Sequence, residues 1–397
     1  MSAHLAPPFR AEHIGSLKRP NELLQKRVEF DEGKITKEEL QKYEDKYIAE
    51  IVKLQRDIGL KGLTDGEFRR HMFYDGVFDN LDGMTHVKPV PKEWFMPYVP
   101  DIMAFQELNF KNADTYVCTG KLKRTKPFYK DQFLGLAKFV PTEEVKNLKL
   151  TMCVPHWFHL RHGPYAYPKD VYKDDAEYFA DIAQAYREEL ADLYSVGCRN
   201  IQFDDPMLAY FCAESMLKGM AEDGLDSDAI LDLYIDTYNK CLSDRPADMT
   251  VGIHLCRGNF KDGRHFAEGG YDRIAIKLFN KLNVDTYYLE YDTERAGTFE
   301  PLKFLPPHKS IVLGLISTKI RKLEDEEEME KKIRAAAETV ANGDQKRSVE
   351  VALNQLCLSP QCGFASHSEG NQVTEEDVQR KLTLVANIAK RVWGTPA

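Results

Sequence analysis

The stretch V-G-I-H-L-C-R-G-N, residues 251–259, sets an imidazole and a thiol two places apart, at His254 and Cys256. In an extended chain, residues i and i+2 project from the same face, so both side chains can reach one ion. Two other apolar runs end in metal-ligating types: Glu290 closes Y-Y-L-E, and Cys362 stands in S-P-Q-C-G-F-A-S. Imidazole, thiolate and carboxylate are the ligands Zn2+ favours, and catalytic zinc keeps three protein ligands with one exchangeable position. His254, Cys256 and Cys362 would form such a set, with Glu290 as a displaceable fourth ligand. Two cysteinates suit activating a soft thiol better than hydrolysing an amide, which draws on His and carboxylate ligands and a water. A thiol on zinc loses its proton near neutral pH and becomes a nucleophile for alkyl transfer. Taken alone, the pair describes a core cysteine beside a satisfied histidine better than a metal site, and only with Cys362 and Glu290 added do the two readings stand level; Glu290 by itself reads as a helix cap or ion pair. The decision rests on whether the fold brings the four together.

The chain reads as alternating strands and helices. A-E-H-I-G-S-L gives a short first strand. Thr36 and Glu39 form a capping box opening the helical stretch T-K-E-E-L-Q-K-Y-E-D-K-Y-I-A-E-I-V-K-L-Q-R-D-I-G. G-L-K-G-L-T-D-G-E-F follows as a buried strand. After residue 148 come strands L-K-L-T-M-C, R-N-I-Q-F-D-D-P, M-T-V-G-I-H-L-C, D-T-Y-Y-L-E-Y-D, S-I-V-L-G-L-I-S and S-V-E-V-A-L-N-Q-L-C-L-S-P, with helical text between most of them. One helix is closed by Gly197. About eight strands with helical crossovers imply parallel strands covered on both faces. The expected fold class is α/β, a (β/α)8 TIM barrel forming one catalytic domain over residues 1–397. Pro- and aromatic-rich text at 84–148 predicts a β-rich insertion or lid, which accounts for length beyond the ~250 residues of a bare barrel. A doubly wound nucleotide-binding sheet would want G-x-G-x-x-G after its first strand, and none occurs there.

In such a barrel, chemistry gathers at the C-terminal ends of the strands. Those ends carry Ser16, Asp65 with Glu67, His156, Asp204 with Asp205, His254 with Cys256, Glu290, Ser317 with Lys319, and Cys362. Composition fits a globular protein, with 43% hydrophobic and 29% charged residues. A net charge of −9 argues against a nucleic-acid partner. No apolar run reaches the roughly 18–20 residues of a membrane span, and no signal pattern opens the chain. The expectation is a cytoplasmic protein with no membrane partner. Its other cysteines (118, 153, 198, 212, 241 and 357) should then be reduced and buried. Oligomeric state stays open, a homodimer included.

In combination, these motifs resemble the C-terminal catalytic barrel of cobalamin-independent methionine synthase, and most closely its short single-barrel methyltransferase-like homologues. The resemblance runs from H-I-G-S-L-K-R-P to the C-G-F motif. It implies zinc on His254, Cys256, Glu290 and Cys362. It implies that Ile14, Gly15 and Ser16 hold a substrate carboxylate, while Glu67 and Asp204 meet its ammonium. The implied activity is that of a 5-methyltetrahydropteroyltriglutamate-homocysteine S-methyltransferase, carrying a methyl group to homocysteine in methionine biosynthesis. The partners are then a small-molecule thiol and a methyl donor, folate-type or other.

Three departures qualify the resemblance. The family's full-length members carry a second, N-terminal barrel that this sequence does not have. The family's D-x-H-S histidine has no counterpart, and G-L-I-S-T-K-I-R stands there with Ser317 and Lys319. Asp205 replaces a family glutamate. Lys319 is therefore the candidate catalytic or donor-binding residue at that position. Aromatics in H-W-F-H-L-R-H-G-P-Y-A-Y-P, with His156, His159 and His162, would line the donor side. Two alternatives keep the zinc: alkyl transfer to a different thiol, as in relatives resembling epoxyalkane coenzyme M transferase, and a structural zinc without transferase activity.

Overall fold

A computed structural model describes residue 4 and residues 6–107, 114–260, 263–368 and 370–394. Residues 108–113 of the expected insertion and the extreme ends of the 1–397 span lie outside the described residues.

Two helices lead in, α1 (Asn21–Asp31) and α2 (Lys37–Ile58). Helix α2 starts where the sequence placed its capping box: Thr36 Oγ1 accepts from the Glu39 amide at 3.2 Å, and Glu39 returns the bond to the Thr36 amide at 2.9 Å. It ends on Gly59, whose φ of 99° suits a residue without a Cβ. Next come the antiparallel strands β1 (Leu81–Val87) and β2 (Thr115–Arg124), with α3 (Pro100–Glu107) between them and α4 (Lys130–Ala137) after. The insertion is thus one hairpin with helices, not the β-rich unit its Pro and aromatic content predicted. Proline fixes φ without requiring a ladder, and here it opens α3.

The core sheet runs β3 (Lys149–Cys153), β4 (Asn200–Asp204), β5 (Thr250–Leu255), β6 (Thr286–Glu290), β7 (Ser310–Ile316) and β8 (Leu356–Pro360), each parallel to its neighbours in that order. Between them lie the short α5 (His159–His162) and α6 (Asp175–Ser195), then α7 (Pro206–Tyr210), α8 (Glu214–Glu222), α9 (Ser227–Cys241) and α10 (Asp272–Lys281). Helices α11 (Glu326–Ala341), α12 (Val349–Asn354) and α13 (Glu375–Trp393) complete the outer layer. Strands β3, β4, β6 and β8 are buried at every residue, as parallel strands covered on both faces must be.

Two extended segments occupy the positions of the first two expected strands. Ala11 bridges Leu358 in parallel, with Glu12 N to Leu358 O at 2.8 Å. On the other side Lys149 N donates to Leu63 O at 2.8 Å, and Leu17 N to Gly66 O at 3.1 Å joins the two segments. The ring is a (β/α)8 barrel in which these two staves are irregular. The stretch 60–69 does not form a full strand because side chains take its amides: Thr64 Oγ1 accepts from Gly66 N and Asp65 Oδ1 from Glu67 N. Two further expectations are corrected. S-V-E-V-A-L-N is helix α12, not strand, and the β6–β7 crossover holds only 3₁₀ turns at Glu294–Ala296 and Glu300–Phe304.

Candidate metal and thiol site

Residues far apart in sequence meet at one end of the barrel. His254 lies near the end of β5, Cys256 just past it, Glu290 closes β6, and Cys362 stands two residues after β8. One ligand atom from each lies within 4.8 Å of all the others. His254 Nε2 and the Cys256 sulfur each stand 3.4 Å from the Cys362 sulfur. Zinc bonds of about 2.0–2.3 Å place ligands within roughly that spread, so the donor set fits the metal in both chemistry and spacing. The other ring nitrogen, Nδ1, is held 3.2 Å from the Tyr288 carbonyl, which leaves Nε2 for the cluster. Glu290 is fixed from both sides: Arg257 N donates to Oε1 at 2.9 Å and Arg295 Nη2 to Oε2 at 2.7 Å.

The electrostatics point the same way. The bond to Cys256 holds the Cys362 thiol well below the usual thiol range, against burial and with help from His254. Cys256 is pushed well above it by the same bond and by burial. Burial works against a charged His254, but the neighbouring Cys362 outweighs it and raises the imidazole to about 9. The site stabilises a thiolate by a hydrogen bond from Cys256 and by a positive charge at His254, and a cation would take over that second part.

The cluster opens on a cavity of about 280 Å³. Ile14, Ser16, Glu67 and Asp204 line it beside His254, Cys256 and Cys362. Asp204 is a register neighbour of His254 on the adjacent strand, so the two side chains share one face. Burial and the nearby Glu67 push the Asp204 carboxyl up to about 7. Glu67 is raised by burial against the pull of Arg70 and Arg19. Thr151 donates to Glu67 Oε1 at 2.9 Å, while Oε2 is buried without a hydrogen-bond partner. Glu67 is also the one non-glycine residue with positive φ, 60°, among the described residues. That conformation costs energy and is typical of functional sites. Two desolvated carboxyls on one cavity have the chemistry to receive an ammonium group.

Ser16 borders the cavity where the chain passes Gly363. A Cβ on Gly363 would fall 2.0 Å from Ser16 Oγ, so only glycine lets the two segments approach. Gly15, at φ 134°, has its carbonyl held by Thr64.

Not every expected residue arrives. Lys319 does not line the cavity; its ammonium donates to Gly258 O at 2.9 Å and approaches Asn259 Oδ1 at 3.3 Å, bracing the loop after Cys256. Ser317 is likewise outside the lining, its amide bonded to Glu324. Asp205 turns away: it caps α7 through Leu208 N and accepts from Tyr238 OH at 2.7 Å. The three histidines expected on the donor side are also elsewhere. His156 stacks on Tyr234 and sits 3.2 Å from Asp205, His159 bonds Tyr234 and Asp175, and His162 bonds Thr115 and the Trp94 carbonyl. The turn into α5 directs these rings toward α6, α9 and the insertion.

Trp157, from the same stretch, does line the cavity, together with residues the sequence gave no reason to choose: Asp101 and Phe105 of α3, Arg161, and Phe260 and Phe266. Arg161 pairs with Asp101 and lies 4.5 Å over the Trp157 ring. No periodicity marks these residues, since they come from the insertion, the single-turn α5 and the loop after β5.

A parallel barrel with a His-Cys-Glu-Cys cluster at its C-terminal end defines a class of barrels that carry a candidate metal site there. Within that class the chain belongs to the family described as the cobalamin-independent synthase catalytic domain, which matches residues 164–390. It is 36% identical to the uncharacterized protein YxjH of Bacillus subtilis over 97% of this chain and 95% of that one. A Listeria monocytogenes chain solved under a provisional vitamin-B12-independent methionine synthase name shares 33% identity, with a TM-score of 0.72 over 98% of this chain and 99% of that one. The Bacillus cereus 5-methyltetrahydropteroyltriglutamate–homocysteine methyltransferase is 24% identical over 82% of this chain, a match covering only 37% of that longer protein. No helix among the described residues is long and apolar enough to cross a membrane.

Proposed function

We propose that this chain is a zinc-dependent S-methyltransferase that methylates a small amino-acid thiol, homocysteine in the first instance, to give methionine. One observation carries the reading: four ligands of zinc-favoured types converge within 4.8 Å beside two buried carboxyls on the same cavity. His254, Cys256 and Cys362 would hold the metal, with Glu290 as a displaceable fourth ligand. The chemistry such a metal would supply is a lowered pKa for the substrate thiol at neutral pH.

The chain's own residues do the positioning. Glu67 and Asp204 take the substrate ammonium, and Ser16 with neighbouring amides takes its carboxylate. Fixing both ends of the amino acid delivers its sulfur to the cluster, and such placement accounts for a large share of a transfer barrier. Lys319 acts indirectly, by bracing the loop that carries Cys256. The catalytic unit is a single barrel spanning the chain, working in the cytoplasm on a thiol and a methyl donor.

Cobalt in place of zinc tests this reading by absorption spectroscopy. Homocysteine should bring a new sulfur-to-metal charge-transfer band, lost in Glu67→Gln/Asp204→Asn. A response only to thiols without an ammonium group would select the coenzyme M-type alternative. A spectrum indifferent to every thiol would leave a structural metal and end the transferase reading.

A further inference from the structure

The lining of the cavity as a whole carries information about the methyl donor. Three observations bear on it. Among the described lining residues the carboxylates are Glu67, Asp101, Asp114 and Asp204, against a single guanidinium, Arg161. That guanidinium is already neutralised by Asp101. The wall is otherwise rich in aromatic faces. Tyr74 stacks 5.9 Å from Trp157, and Phe105 meets Phe260 at 5.3 Å and Phe266 at 5.9 Å. Finally, the end of β7 sends no proton donor into the cavity, since Ser317 and Lys319 are both committed elsewhere.

A polyanionic donor would meet carboxylates here and no unpaired guanidinium. An amine leaving group would need a proton that the end of β7 does not deliver. A methylated onium cation has neither difficulty. Aromatic faces attract such a cation, and none of the lining carboxylates repels it. We propose that the donor subsite of this chain takes a small methylsulfonium compound, held against Tyr74, Trp157 and Phe105.

The transfer then balances without a general acid. The donor's S–CH3 bond breaks, and its electron pair stays on sulfur, which leaves as a neutral thioether. The acceptor thiolate sulfur supplies the pair for the new S–CH3 bond. One positive and one negative sulfur become two neutral thioethers, and no proton moves in the step.

The inference rests on the thiol-methyltransferase reading but is tested apart from it, by calorimetry on the full chain without metal or thiol. The probes are dimethylphenylsulfonium, its neutral thioether methyl phenyl sulfide, and 5-methyltetrahydrofolate. The sulfonium should bind about tenfold or more tighter than its thioether, and tighter than the folate, by the cation–ring attraction above. Tyr74→Leu, at a half-buried position that leaves the barrel intact, should remove about fivefold or more of that preference, and Phe105→Ala should act in the same direction. Equal affinity for sulfonium and thioether, tighter binding of the folate, or a preference untouched by both substitutions would each overturn the proposal. Because no acceptor thiol is present, these outcomes leave the cobalt titration to judge the methyltransferase reading independently.

Discussion

At the scale of single residues, the decisive pair is Glu67 and Asp204. Both are buried on the cavity, burial raises both, and Glu67 raises the cost of ionising Asp204 further. Asp204, pushed up to about 7 against an ordinary 3.8, sets a sign. The folded protein holds more protons than the unfolded chain between these values, so this carboxyl lowers stability as pH rises through the window. Ligand binding runs the other way, because an ammonium needs the ionised form. Methionine has the ends of homocysteine but no titrating thiol, so its affinity should rise as pH passes from 6 to 8. Asp204→Asn should flatten the rise and weaken binding at pH 8 by about tenfold, one lost charged hydrogen bond. Calorimetry across that range checks it, and an unchanged slope in the variant would remove Asp204 from the amine subsite. The candidate pair His254 and Cys256 was legible in the sequence because strand geometry makes i and i+2 share a face, and the structure brings both within 4.8 Å of Glu290 and Cys362. Asp205 misleads for a local reason: it follows Asp204 on a strand end, and its side chain is taken by the cap of α7.

At the scale of elements, the insertion belongs to the site, because α3 supplies Asp101 and Phe105 to the cavity. What fastens it there is the pair between Asp101 and Arg161, both nearly inaccessible at 4% and 7% side-chain exposure. Asp101→Asn keeps the shape and leaves a buried guanidinium without its counter-charge, a loss of about 3–5 kcal/mol when one partner of a buried pair is removed. Amide hydrogen exchange should accelerate over residues 95–107 while β4, β5 and β6 stay protected. Uniform protection in the variant would mean that apolar contacts alone seat α3. The alternation of β4, β5 and β6 with helices was readable because each strand is a short apolar run with a polar residue at or beside its end. Helix α12 was not, since V-E-V-A-L copies the period of a strand. The Ser348 side chain accepts from Val351 N and starts a helix, leaving Val349 and Val351 45% and 49% exposed.

At the scale of the whole molecule, barrel closure turns a list of distant residues into one site. The proposed ligands come from β5, from β6 and from beyond β8, so an ion there ties together segments more than 100 residues apart in sequence, as His254 and Cys362 are. Closing so long a loop with a metal clip should stabilise the fold as well as the site. Binding that favours the folded state adds about 4 kcal/mol when free metal exceeds its dissociation constant a thousandfold. A chelator should therefore lower the melting temperature of the zinc-loaded wild type by several degrees, and restored zinc should return it. Cys362→Ser should melt at one temperature with and without chelator, having lost the bound metal. Cys357→Ser removes a thiol that is also buried but lies at the start of β8, the far end of that strand from Cys362, beside Arg10 and Glu12, and should keep the wild-type response. Calorimetric scans paired with metal content distinguish the two cysteines. A chelator response that survives in Cys362→Ser would place the metal elsewhere, and with it the chemistry assigned to this end of the barrel.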